Sequence, residues 1–215
     1  MAFSGQWLRR MGQGVKIVEP YQDKFKDGVI TVMDDSHGIG AYGKTGRGTE
    51  EFCSAKVDVL IGTFGKAFGV NGGFISASRE LIEAVRQKSD TYIYTNPLSV
   101  ADCAAAIKAI DIADGSEGKE RLQNLEARTS RFRQGIKAIS MESIPGPHPV
   151  VPVLVRDTAK TQQMVKGLYD RGILVVGLTY PVVPKGNETI RFQINAAHTE
   201  ADVNYALKML GEVKS

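Results

Sequence analysis

Two short stretches of the chain carry side chains of the types that do chemistry in active sites. In the first, two acids, a serine and a histidine follow an apolar run that ends at Met33. These residues are Asp34, Asp35, Ser36 and His37. In the second, Lys66 follows another apolar run and stands among five glycines between residues 62 and 73. Carboxylates and imidazoles move protons and an amine attacks carbonyl carbons, so both stretches are candidate reactive sites.

Together the two stretches match what pyridoxal phosphate needs from a protein. This cofactor needs a lysine for its aldehyde, a carboxylate that keeps its ring nitrogen protonated, and hydroxyls or amides for its phosphate. Asp34 and Lys66 each follow a predicted strand, and open α/β sheets bind ligands at the C-terminal ends of their strands. We therefore expect Asp34 to pair with the ring nitrogen and raise its pKa, and His37 to hydrogen-bond the phenolic oxygen. The alternative is that Asp34 and His37 cap a turn and Lys66 is a surface lysine.

The stretch GIGAYGKT, residues 38–45, formally satisfies both the phosphate-loop and the dinucleotide-binding patterns. A phosphate loop follows its strand directly and opens a helix. Here residues 34–37 intervene, and the sequence GRG after Thr45 is a poor first helical turn. Asp58 has the separation of a ribose-binding acid, but it opens its strand, whereas that contact needs the far end of a strand. A nucleotide-binding protein is therefore the weaker alternative.

The hydrophobic pattern predicts strands that alternate with helices, which indicates the α/β class. The predicted strands of the N-terminal part are Val29–Met33, Val57–Gly62 and Gly73–Ser76, and its predicted helices are Arg79–Lys88 and Val100–Ala113. After the break DGSEG, the predicted elements are a helix at Lys119–Ser140, a strand at Val150–Val155, a helix at Thr161–Arg171, strands at Ile173–Val176 and Thr189–Ile194, and a helix at Thr199–Val213. This pattern predicts two domains, residues 1–113 and 114–215.

Length and composition favour a cytoplasmic α/β protein. The chain has 215 residues, of which 42% are hydrophobic and 24% charged, and its net charge is only +3. Basic and acidic residues are interleaved, which does not favour nucleic acid or an anionic membrane as a partner. The two cysteines have no metal-ligand spacing, so we expect no metal site. Three short strands form only a partial sheet, so we expect an open edge whose backbone groups need a partner.

Four motifs resemble those of the α-oxoamine synthases, which are fold-type I pyridoxal phosphate enzymes. They are VMDDSHGIGAYGKTGRG, DVLIGTFGKAFGVNGGF, YIYTNPLS and YPVVPKGNETIRFQINAAHT, and they occur in the order of the family. The resemblance runs from about Tyr21 to the C-terminus. It implies the C-terminal part of a large domain like that of aspartate aminotransferase, followed by a small α/β domain.

The same resemblance assigns cofactor-binding roles to five residues. Asp34 resembles the acid that pairs with the pyridine nitrogen, and His37 resembles the histidine near the phenolic oxygen. Lys66 matches the lysine that holds the aldehyde and carries the catalytic amine. Thr63 matches a phosphate ligand, and Thr95 resembles a hydroxyl residue that reaches the phosphate in the neighbouring subunit. The resemblance therefore implies a homodimer with shared active sites.

The resemblance also implies substrates. Arg191 matches an arginine that binds the carboxylate of the amino acid, a task that suits the planar fork of its guanidinium. The alternative from the sequence is an exposed strand residue. The motifs around residues 180–199 are most similar to the branch of the family that joins glycine to acetyl-CoA and forms 2-amino-3-oxobutyrate. Other branches use other acyl chains or amino acids.

The family has a long N-terminal half that has no counterpart in this sequence. That half supplies the residue stacked on the cofactor ring and part of the acyl-CoA tunnel. We therefore expect a truncated chain that presents Lys66 but has a weakened cofactor site. A non-catalytic chain that acts as an assembly partner is the second alternative.

Overall fold

The structure of the protein is a computed structural model that describes residues 17–214. The chain forms two compact units that divide between Glu120 and Arg121. The domain boundary predicted after residue 113 stays a prediction. The α/β class predicted from the hydrophobic pattern is confirmed, because strands and helices occur in both units.

The first unit contains a three-stranded sheet in the order β1-β2-β3. Strand β1 is parallel to β2, and β3 returns antiparallel to β2. The strands are β1 (Val32–Asp34), β2 (Val59–Thr63) and β3 (Gly73–Ser76). The helices are a 3₁₀ helix (Glu19–Lys24), α1 (Thr49–Cys53), α2 (Arg79–Lys88), α3 (Asp90–Tyr94) and α4 (Val100–Asp114).

The second unit contains an antiparallel four-stranded sheet in the order β4-β5-β7-β6. The strands are β4 (Glu142–Ser143), β5 (Val150–Leu154), β6 (Val176–Leu178) and β7 (Thr189–Gln193). Helix α5 (Ser116–Ala138) leads into this unit, and α6 (Thr158–Tyr169) and α7 (Glu200–Lys214) complete it. One apolar core joins the helices to the sheet. It consists of Phe132, Ile136, Val151, Val153, Met164, Leu168, Ile190, Phe192, Val203, Met209 and Leu210.

A carboxylate fixes the start of the parallel pair β1 and β2. The side chain of Asp58 accepts hydrogen bonds from the Thr31 amide at 2.8 Å and from the Thr31 hydroxyl at 2.6 Å. These bonds hold the pKa of Asp58 below its usual range. Asp58 therefore has a structural partner at the N-terminal ends of the strands, which leaves no support for a ribose contact.

Helix starts follow the capping chemistry of the sequence. Ser99 and Asp102 form a reciprocal capping box at α4. Thr199 and Asp202 exchange the same bonds before α7, which confirms the helix start predicted there. At α6 the Asp157 side chain accepts from the Lys160 amide at 2.6 Å, so the helix begins at Thr158 and not at the predicted residue 161.

Three predicted strands begin later in the structure than in the sequence analysis: β2, predicted from Val57, begins at Val59, and β1 and β6 show larger shifts. Strand β1 was predicted from Val29, but the Val29 amide and carbonyl bond to the Gln22 side chain and ordered strand pairing begins only at Val32. Strand β6 was predicted from Ile173, but the Ile173 amide still bonds to the Leu168 carbonyl, which closes α6. Apolar runs gave both predictions, and local hydrogen bonds displaced the boundaries.

Large apolar side chains of the first unit are exposed, in agreement with the predicted partial sheet. Strand β1 and strand β3 each have one neighbour among the described residues. Val32 of β1 is 62% exposed, and Tyr94 of α3 and Val100 of α4 are 87% and 88% exposed. In proteins, a large exposed apolar surface is typical of a region where another polypeptide or a ligand binds.

The core of the second unit predicts one sharp contrast in stability. We expect Ile190→Ala to lower the free energy of unfolding by about 2–5 kcal/mol, because Ile190 is fully buried and its truncation leaves a cavity. Ile107→Ala, at a residue 63% exposed, is the control and should change stability by less than about 0.5 kcal/mol. Urea unfolding followed by circular dichroism measures both. Equal effects of the two substitutions would contradict this core.

Candidate functional site

The pleat of β1 turns the two adjacent carboxylates to opposite faces of the sheet. Successive side chains of a strand point to opposite faces, and the burial of this strand follows that period. Val32 and Asp34 are exposed, whereas Met33 and Asp35 are 4% and 5% exposed. The ladder continues past the strand, since the Asp35 amide donates to the Ile61 carbonyl at 2.9 Å. Asp34 therefore faces outward at the C-terminal end of β1.

The environment of Asp34 stabilises its charged form. Hydrogen bonds from the side chain and the amide of Ser36 hold the pKa of Asp34 below its usual range. The bond from the Ser36 amide measures 2.9 Å. The charges of Lys66 and His37 lower the same pKa further. A carboxylate whose charged form is favoured in this way can pair with a protonated ring nitrogen.

Lys66 stands in the connection between β2 and β3. The Phe64 amide donates to the Gly72 carbonyl and the Val70 amide donates to the Phe64 carbonyl, both at 2.9 Å. The Gly69 amide then closes a turn on the carbonyl of Lys66 at 3.2 Å. Three phenylalanine rings in edge-on and tilted contact brace this connection. They are Phe64, Phe68 and Phe74.

Asp34, His37 and Lys66 lie close together in the first unit. The evidence is electrostatic, because the charges of Lys66 and His37 both act on the pKa of Asp34. The parallel pairing explains it, since Asp34 lies opposite Ile61, and Lys66 follows β2 by three residues. Parallel strands end at one edge of a sheet, where ligands bind in open α/β folds.

The glycines around Lys66 have two separate uses. A Cβ at Gly62 would collide with the Phe74 ring, and a Cβ at Gly72 would collide with Leu98. These glycines serve the packing of the chain itself. Gly69 has φ +64° and no atom within 4 Å of a built Cβ, so the space next to the Lys66 turn is open. The glycines around Lys66 therefore do not all serve the same purpose.

The two threonines predicted to bind phosphate have local partners. The Thr63 hydroxyl donates to the Gly72 carbonyl at 3.1 Å and accepts from the Gly65 amide at 3.2 Å, so it helps to shape the Lys66 connection. Thr95 follows α3, and its hydroxyl donates to the Thr91 carbonyl at 2.5 Å. These contacts do not bring Thr95 to Asp34 or Lys66. Both phosphate roles stay predictions.

Arg191 lies in the middle of β7, opposite Pro152 and Val176. Its neighbours Ile190 and Phe192 point into the core, so Arg191 belongs to the other face of the sheet. Its Nε atom is buried and has no hydrogen-bond partner within residues 17–214. Because buried donors are normally satisfied, this guanidinium is suited to an external carboxylate.

The loop whose sequence resembles a phosphate loop is held by hydrogen bonds to the Glu51 carboxylate. The Glu51 side chain accepts from the Thr45 amide at 3.0 Å and from the Arg47 amide at 3.1 Å. Partial burial opposes ionisation of Glu51, but these bonds and that from the Thr45 hydroxyl hold its pKa below the usual range. No helix opens at Thr45, since α1 begins at Thr49. The amides that would cradle a phosphate are therefore occupied, which argues against the nucleotide alternative.

Residues 17–214 contain no group of three or more histidine, cysteine, aspartate and glutamate side chains that could hold a metal ion. Across the same residues, none of the helices has both the length and the apolarity to cross a bilayer.

Comparison with known proteins identifies the class to which this fold and site belong. Residues 21–210 match the family model described as aminotransferase class I and II. The chain belongs to this family of pyridoxal phosphate-dependent enzymes, and within it to the α-oxoamine synthases. The resemblance found in the sequence is thus confirmed.

The similar proteins include more than one kind of enzyme, so they identify the family and not a single activity. The chain is 38% identical to 2-amino-3-ketobutyrate coenzyme A ligase of Escherichia coli (strain K12) over 183 residues, which is 83% of this chain and 45% of that protein. It is 36% identical to 8-amino-7-oxononanoate synthase of Thermosipho melanesiensis over 201 residues, or 93% of this chain and 49% of that protein. The chain therefore spans about half the length of the curated relatives that it matches.

Solved structures confirm the predicted fold class. Serine palmitoyltransferase of Sphingomonas wittichii superposes with a TM-score of 0.83 at 25% identity, and the match covers 94% of this chain and 50% of that one. A serine palmitoyltransferase solved with pyridoxal phosphate gives a TM-score of 0.81 at 27% identity, with 96% and 50% coverage. The fold is that of the pyridoxal phosphate-dependent transferases.

Sequence reasoning missed the roles of Ser36 and Asp35. Ser36 was visible in the DDSH motif, but it was given no role because the hydrogen bond to the side chain two residues earlier depends on the turn geometry. Asp35 was seen as one of a pair of acids, and its burial follows only from the register of β1.

We expect Ser36→Ala to raise the pKa of Asp34 toward its ordinary value, because the substitution removes the largest stabilising bond to the carboxylate. Carbon-detected NMR titration of the Asp34 carboxyl group measures this shift. Since the folded-state pKa is depressed, ionised Asp34 stabilises the fold at neutral pH, and this contribution is lost as pH falls through the folded-state pKa.

The Ser36→Ala variant should therefore be less stable than the unmodified protein at neutral pH, and the difference should shrink in acid. Ser36→Thr, which keeps the hydroxyl, is the matched control. An unchanged Asp34 pKa in Ser36→Ala would show that this bond does not act on the carboxylate.

Proposed function

We propose that this chain carries the cofactor and substrate residues of a glycine C-acetyltransferase, which condenses glycine with acetyl-CoA to 2-amino-3-oxobutyrate. The observation that carries the proposal is the convergence of an ionised Asp34 and the Lys66 amine at one edge of a sheet. The 38% identity to 2-amino-3-ketobutyrate coenzyme A ligase supports the choice of substrates.

The residues present fit pyridoxal phosphate. Asp34 offers a carboxylate whose charged form is stabilised, which suits an ion pair with the protonated ring nitrogen. Lys66 offers the amine for the aldehyde beside the open space at Gly69. His37 stands within electrostatic reach of Asp34 and is assigned to the phenolic oxygen. Thr63 and Thr95 are assigned to the phosphate.

The chemistry divides between the cofactor and the chain. When bound, pyridoxal phosphate supplies an electron sink for negative charge at the Cα atom of the amino acid. Lys66 takes the proton from the Cα of glycine, and Asp34 keeps the proton on the ring nitrogen. Arg191 binds the glycine carboxylate through two parallel hydrogen bonds. In the net reaction the Cα of glycine would gain a bond to the acetyl carbonyl carbon, the thioester carbon–sulfur bond would break, and the proton that Lys66 takes from Cα would leave on the CoA thiol.

We further propose a homodimer with shared active sites, in which Thr95 reaches the phosphate bound by the neighbouring subunit. The exposure of α3 supports a contact there, since Ile93 and Tyr94 are 76% and 87% exposed. Apolar side chains so exposed favour burial in an interface. The cytoplasmic location expected from the composition stays a prediction.

Two alternatives have specific support. The first is an 8-amino-7-oxononanoate synthase-like activity, because a relative with that name is 36% identical across 93% of the chain. The second is a non-catalytic assembly partner, an alternative that the exposed apolar side chains of the first unit favour. CoA release tested with several acyl-CoA and amino acid pairs discriminates among the three.

We expect the purified chain to take up pyridoxal phosphate through Lys66. Borohydride reduction followed by peptide mapping should find a pyridoxyl group on Lys66, because its amine lies at the edge where Asp34 stabilises the ring. Lys66→Ala should lose both the label and the visible absorbance of the bound cofactor. Asp34→Asn should weaken binding, because it removes the charge that holds the ring nitrogen.

Lys44→Ala is the matched control, because Lys44 is an exposed lysine in the neighbouring glycine-rich loop. It should keep the label on Lys66. A label spread over surface lysines, or none on a folded protein, would reject the cofactor site. Stabilisation by ATP in place of the cofactor would revive the nucleotide alternative.

A further inference from the structure

Asp35 joins the two ends of the loop that follows β1. Its side chain accepts from the Thr49 amide at 2.7 Å and from the Thr49 hydroxyl at 2.5 Å. Its carbonyl accepts from the Gly38 and Ile39 amides at 2.9 and 3.1 Å. One residue therefore fixes both the turn that contains Ser36 and His37 and the return of the loop at α1.

The Asp35 carboxylate is enclosed by Thr49 and by two glycines, Gly38 and Gly48. Asp35 is 5% exposed and Thr49 is 1% exposed. A Cβ at Gly38 or at Gly48 would collide with the carboxylate oxygens, so only glycine fits at these two positions. Burial raises the pKa of Asp35, while the bonds from Thr49 oppose that shift. Burial of a carboxylate costs free energy unless the carboxylate is hydrogen-bonded, and the two bonds from Thr49 offset that cost.

We propose that Asp35 is a positioning residue for the cofactor edge: through Thr49 it fixes the turn that aims Asp34, Ser36 and His37. It touches no reacting atom, because the pleat turns its side chain to the face opposite that of Asp34. The proposal rests on the proposed function for its importance to the cofactor, but its geometric part holds for the chain without cofactor. A site whose ligands are held by bonded neighbours is preorganised for binding.

If Asp35 acts through its hydrogen bonds, substitutions should have different effects than if it acts through its charge. Asp35→Asn removes the charge but keeps an oxygen that accepts from the Thr49 amide. Its amide NH2 group can donate to the Thr49 hydroxyl oxygen. Asp35→Ala removes both the bonds and the charge. Because the two variants share the same charge, the difference between them reports the hydrogen bonds together with the loss of side-chain volume, and the near-isosteric Thr49→Val isolates the hydroxyl bond.

The first experiment uses the chain without cofactor. The pKa of Asp34 is measured by NMR titration in the two Asp35 variants, and amide exchange is measured for residues 36–39. We expect a higher Asp34 pKa and faster exchange in Asp35→Ala than in Asp35→Asn, because a loosened turn weakens the Ser36 bonds. Thr49→Val should behave like Asp35→Ala in direction, and Thr49→Ser should restore the unmodified values, because it keeps the hydroxyl.

The second experiment measures the Kd for pyridoxal phosphate. We expect Asp35→Ala to raise it at least about tenfold and Asp35→Asn to leave it within about threefold. Thr45→Val is the matched control, since it removes a hydroxyl-to-carboxylate bond to Glu51 in the same loop without touching Asp35. Its Kd should stay within about threefold of that of the unmodified chain.

The outcomes separate the two hypotheses. If Asp35→Ala and Asp35→Asn agree in Asp34 pKa and amide exchange while both remain folded, the positioning role is wrong. If Thr45→Val weakens cofactor binding as much as Thr49→Val, the effect belongs to the whole loop and Asp35 has no specific role. If the unmodified chain binds no pyridoxal phosphate, the proposed function fails, and the first experiment still decides the role of Asp35.

Discussion

The parallel pairing of β1 with β2 is the constraint on which the candidate site depends. It sets Asp34 opposite Ile61 and thereby brings the ends of two strands, far apart in sequence, to the same edge of the sheet. Asp58 fixes the other ends of the same strands through Thr31. The carboxylate and the amine need no direct bond to each other, because the ladder between their strands supplies their proximity.

Around this pairing, the chain uses its acids in three different environments. Asp34 is exposed and bonded so that its charge is favoured, whereas Asp35 is buried so that its charge is opposed. Glu51 accepts hydrogen bonds from two amides of the glycine-rich loop, those of Thr45 and Arg47. The same functional group, a carboxylate, thus serves a candidate reactive edge, a buried contact and the closure of a loop, according to its exposure to solvent and to the donors that it meets.

Much of the site was predictable from residue types and spacing, and its supporting contacts were not. The apolar run before Asp34 and the run before Lys66 indicated two strands that end at the candidate edge, and the alternation of elements indicated the α/β class. The burial of Asp35 and the bond from Ser36 depend on strand register and turn geometry, which side-chain patterns do not encode. The starts of β1 and β6 were missed because hydrogen bonds to Gln22 and Leu168 replaced strand pairing.

The two neighbouring carboxylates point to opposite faces of the sheet, so this edge is sensitive to any change in the number of residues in β1. Inserting or deleting one residue within β1, with the pairing otherwise kept, would exchange the outward and the inward acid. The altered chain would keep its local motif and nearly all of its contacts. The Asp35 carboxylate, however, would face the solvent in place of the Asp34 carboxylate. Natural variation in this segment is therefore expected to proceed by substitution, and length changes are expected in the loops on either side.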